Sequence, residues 1–183
     1  MRKYSVLLLC GIAVISLAFA VTPAPAPNSY GEDRALIENL QARYMFAMDF
    51  RDADTYAGTF TKDGVLDYGA GELRGRDSIR NFIIESRNNA EDQAKKDTSG
   101  MYRATGRHNI TNIVIKVDGN KAVGRAYWFH YGNDNPKRTP VLNSYGHYED
   151  EMVKVNGEWL FSKRKIFNEQ VAAWVAKAVN PAW

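Results

Sequence analysis

From residue 102 to residue 169 the chain is written largely in strand-forming residues, and nothing else in it constrains the fold as tightly. Four β-rich segments follow one another near 102–117, 121–133, 141–155 and 158–169, and "VDGN" at 117–120 and "VNG" at 155–157 supply hairpin turns. Such a run predicts an antiparallel meander, and what precedes it must cover a face. The preceding pattern is helical. Ile37, Leu40, Tyr44, Ala47 and Met48 recur at helical spacing and predict an amphipathic helix over about 32–50. Asp52 is the expected N-cap of a short helix over about 52–60, and "TKDGVLDYG" reads as a turn leading into a short strand. A third helix starts near Asp77, turns Ile79, Phe82, Ile83 and Ser86 inward, and gives way to "NNAEDQAKKDTSG", a polar loop. Helices first and strands after imply an α+β domain with three N-terminal helices against one face of a curved sheet.

Alternation along the second long strand puts Gly124, Ala126, Trp128 and His130 on one face and Arg125, Tyr127, Phe129 and Tyr131 on the other. Both sets are substantially apolar. A sheet apolar on both sides is covered on both, so helices on one side and a second subunit on the other are expected, as a homodimer or higher homo-oligomer.

The N-terminus reads differently. Met1-Arg2-Lys3, the apolar run "SVLLLCGIAVISL" and the small-x-small motif Ala18-Phe19-Ala20 describe a signal peptide over 1–20, too short for a comfortable membrane span. Whether it is cleaved or retained as an anchor stays open; cleavage implies a secreted or periplasmic protein that meets the membrane through this segment alone. "TPAPAPNS" lies in a Pro/Ala tether over 21–31, the domain proper occupies 32–170, and 171–183 is a tail or short helix. The single cysteine, Cys10, falls in the leader, so the mature chain has no thiol for a disulfide, a nucleophile or a cysteine-zinc site. Losing Arg2 and Lys3 takes the formal charge from +3 to +1. With its cations scattered among acids, the chain carries no one-sided basic stripe of a nucleic-acid binder.

The stretch "YMFAMD" places a phenol, Tyr44, and a carboxylate, Asp49, at the end of the first helix, where burial gains little unless both find partners. Five residues apart they differ by about 140° around the helix, so they flank a pocket rather than stack. Spacing alone leaves His108 open as a structural histidine, an exposed strand residue or half of a dyad. It leaves Tyr44 open between packing and chemistry. The three histidines lie on different strands, His147 with outward parity, and none pairs at i, i+4, so no metal site is expected. "GAGELRG" lacks the strand–turn–helix context of a phosphate loop.

In order along the chain, "YMFAMDFRD", "FTKDGVLDYG", "GRDSI", "GRHNITNIVI", "AVGRAYW" and "GHYEDEMVKVNGEWLFSKRKIF" resemble the SnoaL-like branch of the nuclear-transport-factor-2-like superfamily over about residues 32–170. The resemblance implies a cone-shaped, mixed or antiparallel sheet wrapped by the helices, and a cofactor-independent lyase (dehydratase) or isomerase, or else a non-catalytic binding or assembly module. The pattern of bile-acid 7α-dehydratase fits Tyr44, Asp49 and His108, with Lys165 where that pattern has arginine. Scytalone dehydratase shares the Asp49 and His108 positions but has a second histidine where Ala126 stands. By this resemblance Asp49 and His108 form a catalytic dyad, assisted by Tyr44 or Lys165. Tyr68, Trp128 and Tyr148 then wall a pocket for a small apolar or aromatic ligand, and His130 sits at its mouth.

Overall fold

The computed structural model describes residues 28–96 and 105–183. The expected leader, most of the expected tether and the end of the expected polar loop lie outside the described residues. Helix α1 (Tyr30–Phe50) begins earlier than its apolar stripe suggests, because Ser29 and Glu32 form a capping box. Ile37, Leu40, Tyr44, Met45 and Ala47 are buried along its inner face. Asp33 is buried as well, accepting from the Trp159 indole at 2.9 Å and facing Lys154 Nζ at 2.5 Å. Arg51 closes the helix in the left-handed conformation, φ 53°. Asp52 then caps α2 (Ala53–Gly58), as expected, by accepting from the Thr55 N–H.

Strand β1 (Phe60–Asp67) is longer than the expected short strand, since "TKDG" is extended rather than a turn. It runs parallel to the last strand with an irregularity between Phe60 and Val65. Gly64 lies in that irregularity; a Cβ there would sit 2.9 Å from Phe60 Cβ and 3.1 Å from the Phe161 carbonyl oxygen, so the close approach requires glycine. β2 (Glu72–Arg74), which the sequence pattern does not reveal, pairs with β1. Helix α3 (Arg76–Lys96) buries Ile79 and Ile83 and does not stop at residue 88. Ala90, Glu91, Gln93, Ala94, Lys95 and Lys96 are good helix formers, and they carry it two more turns into the expected loop.

β3 (Gly106–Asp118), β4 (Lys121–Gly132), β5 (Val141–Val155) and β6 (Glu158–Asn168) form the expected meander. The open six-stranded sheet has the order β2-β1-β6-β5-β4-β3 and is antiparallel except at β1–β6.

Two bulges decide what faces inward. On β3, Thr111 pairs with Tyr127 but Val114 with Arg125, and Asn112 takes φ 52°. His108 and Ile110 therefore share the inner face with Ile113 and Ile115, while Asn112 is exposed, contrary to simple alternation. On β6, Glu151 pairs with Lys163 but Met152 with Phe161, leaving Ser162 as the extra residue. Trp159 and Phe161 face inward before that bulge, and Arg164 and Ile166 after it.

The expected inward placement of Lys165 is thus corrected. Its side chain is 42 % exposed, with Nζ 3.6 Å from Asp67 Oδ2, and Arg164 is the buried cation. On the outer face His147 is buried rather than at the surface, stacked on Phe167 with centroids 4.5 Å apart. The last residues form turns, not a helix, and lie against this face. Arg125 Nε donates to the Pro181 carbonyl at 3.1 Å, and Lys116 Nζ sits 4.2 Å from the centroid of the Trp183 ring.

Candidate active site

Asp49 enters from the last turn of α1 and His108 from the start of β3. Asp49 Oδ1 accepts from His108 Nδ1 at 2.6 Å, and the His108 backbone N–H donates to Oδ1 and Oδ2 at 3.2 and 3.0 Å. A carboxylate only accepts, so the contact assigns a ring proton to Nδ1. The aspartate side chain is 5 % exposed and the histidine 19 %, so the pair is largely buried but reachable. Both line a hollow of about 460 Å³.

His130 pairs with His108 across the β3–β4 ladder and lines the same hollow, its ring centroid 4.4 Å away. Burial lowers its pKa and the neighbouring His108 lowers it further, with Asp49 opposing; the ring is therefore neutral at pH 7. Its packing explains the glycine before "RH": a Cβ on Gly106 would fall 1.9 Å from His130 Nε2.

The other expected site residues stand elsewhere. Trp128 and Tyr148 form an aromatic layer behind His108, with Trp128 6.1 Å from the imidazole and 5.8 Å from Tyr148 between centroids. The Trp128 indole donates to the Phe167 carbonyl at 3.0 Å. Tyr44 is deeper, accepting a 2.7 Å hydrogen bond from the Tyr56 hydroxyl. Tyr68 packs between Phe82 and Trp174. None of these four, nor Lys165, lines the hollow. Burial raises the pKa values of Tyr44, Tyr56 and Tyr148, so all three phenols stay protonated at neutral pH.

The deep interior holds a group that sequence reasoning missed. Arg164, fully buried, donates to both oxygens of Asp150 at 2.8 and 2.7 Å, while Gln41 donates to Asp150 Oδ2 at 3.3 Å. The guanidinium carbon lies 4.2 Å from the Tyr44 and Tyr148 ring centroids and 4.0 Å from that of Phe161. Burial works against this charge, but Asp150 outweighs it and the pKa is raised. The cone is thus closed at its base by an ion pair wrapped in aromatics, and the hollow lies at its rim. Rim residues Arg51, Arg87, Glu91, Thr105 and Arg107 also escaped the sequence reading, which placed Ser86 inward without assigning it to a site. The available signal was the helical repeat of α3 running on past Ser86.

A SnoaL-like domain family pattern matches residues 30–165. The chain belongs to that family. Among curated proteins none matches this SnoaL-like chain. Among solved structures, a protein of unknown function from Mycobacterium tuberculosis is similar at 26 % identity and TM-score 0.63, covering 83 % of this chain and 80 % of its own. A candidate scytalone dehydratase from Novosphingobium aromaticivorans shares 22 % identity and TM-score 0.59 over 82 % of this chain and 93 % of its own. An NTF2-like, cystatin-fold protein from the same organism reaches 20 % and 0.61 over 78 % and 86 %. These likenesses fix the fold, which is the cone-shaped SnoaL-like one.

Proposed function

We propose that this SnoaL-like protein is a cofactor-independent dehydratase or isomerase acting on a small, largely apolar, oxygenated molecule. The observation that carries the reading is the 2.6 Å contact between Asp49 and His108 Nδ1. With Nδ1–H held, Nε2 is free to take a proton from a carbon beside a carbonyl, and Asp49 stabilises the imidazolium that forms. The C–H electrons move to the carbonyl oxygen as an enolate, to which the neutral His130 ring offers an N–H. In dehydration the enolate collapses, the β C–O bond breaks, and the imidazolium returns its proton to the departing hydroxide as water. In isomerisation the same proton returns to a different carbon. Tyr44 and Lys165 do not line the hollow, so neither is given a step. Likeness to a candidate scytalone dehydratase agrees with this class of chemistry at the level of fold.

A binding module is the second reading, favoured by the absence of a tyrosine or lysine among the described residues of the hollow. Incubation with β-hydroxy carbonyl compounds in D2O separates the two. Turnover or deuterium incorporation at the α-carbon is expected, abolished in His108→Asn and reduced by roughly 10²–10⁴ in Asp49→Asn. Binding without exchange in the intact protein would establish the binding module instead. On its leader-like N-terminus, the site of action proposed is outside the cytoplasm.

A further inference from the structure

The rim of the hollow has a charge that the proposed proton transfer does not use. Arg51, at the end of α1, Arg87, on α3, and Arg107, at the start of β3, line it together. Among the described residues two carboxylates, Asp49 and Glu91, share the lining, and Asp49 is committed to His108. Among the described residues no carboxylate pairs with any of the three arginines. Arg107 donates instead to the carbonyl of Gly106, and its guanidinium carbon lies 4.7 Å from the centroid of the Phe50 ring. Three elements remote in sequence thus bring arginines with no carboxylate partner among the described residues to one opening. Like charges gathered without a counter-charge repel one another, so the arrangement gains most when an anion enters.

We propose that the molecule taken by this hollow carries an anionic oxygen group, a carboxylate or phosphate, held at the rim by Arg51, Arg87 and Arg107 while its apolar part reaches His108. This rests on the hollow being the ligand site of the reading above, and it adds the chemical class of the ligand. Planar guanidiniums suit either oxyanion, and Phe50, exposed beside Arg107, offers the apolar part a ring face.

The test compares 1-naphthylacetate, 1-naphthyl phosphate and the neutral 1-naphthylacetamide as probes, by calorimetric titration of the intact protein. At about 20 mM salt at least one acid is expected to bind on the order of tenfold tighter than the amide, narrowing at about 300 mM as the exposed charges are screened. The carboxylate and phosphate arms tell the two headgroups apart. Arg51→Gln combined with Arg87→Gln is expected to bring the preferred acid to within about twofold of the amide, with amide binding unchanged. The paired Arg→Lys changes are expected to retain part of the preference. Equal binding of acids and amide, no binding by any probe, or a preference that survives the double glutamine change overturns the proposal. His108→Asn separates it from the catalytic reading: charge preference kept in that variant, with or without turnover in the intact protein, isolates the rim from the dyad.

Discussion

Asp49 is tied to His108 at three points, twice through the backbone N–H and once through the ring, so it fixes both where the strand starts and how the imidazole is turned. Its neighbour His130 supplies the residue-scale prediction. Its folded pKa is depressed below the usual 6.5, so well above that pH the ring is neutral in both states and its titration takes no stability. As pH falls from 6.5 through the lower folded value, the unfolded chain gains a proton that the folded one resists, and stability drops. Melting temperature measured from pH 7.5 down to about pH 5 is expected to fall less steeply in His130→Gln than in the unaltered protein; parallel curves would contradict the assignment. Part of this site was legible in the sequence. "YMFAMD" announced a carboxylate that burial would not tolerate alone, and the family resemblance paired it with His108. The His108–His130 contact was not, because strand register is set by partners rather than by local pattern.

At the scale of elements, what could be read were caps and turns, since Asp52 and the Gly-Asn and Asn-Gly turns act through their immediate neighbours. Bulges could not. One extra residue, Ser162, exchanges the faces of all that follows, so "SKRK" offered three cations and no local reason to choose Arg164. Gly64 and "TKDG" misled for the same reason: the strand there is made by Phe161 across the sheet, not by its own composition. The buried pair beyond the bulge gives a stability prediction. Asp150→Ala leaves the Arg164 guanidinium uncompensated and is expected to cost about 3–5 kcal/mol by denaturant unfolding. Asp150→Leu with Arg164→Met removes both charges and is expected to recover most of that loss. A single change costing less than about 1 kcal/mol would mean that the pair is not buried in solution.

Across the whole molecule the sheet divides the work. Its inner face holds the aromatic base and the rim hollow. Its outer face is crossed by the C-terminal turns at one end and leaves Tyr127, Tyr131 and Tyr145 exposed at 46–53 %. We propose that a second copy covers those tyrosines. Light scattering is expected to report a dimer and Tyr127→Glu with Tyr131→Glu a monomer, and a monomeric parent protein would refute it. The proposed function nonetheless depends on a single meeting, of the last turn of α1 with the first residues of β3, fifty-nine positions apart. The most direct measurement is the tautomer of His108, read from long-range ring nitrogen–proton correlations in the NMR spectrum. The proton is expected on Nδ1, and that state is expected to be lost in Asp49→Leu, which keeps the side chain's size and removes the acceptor. A proton on Nε2, or a tautomer indifferent to that substitution, would contradict the account.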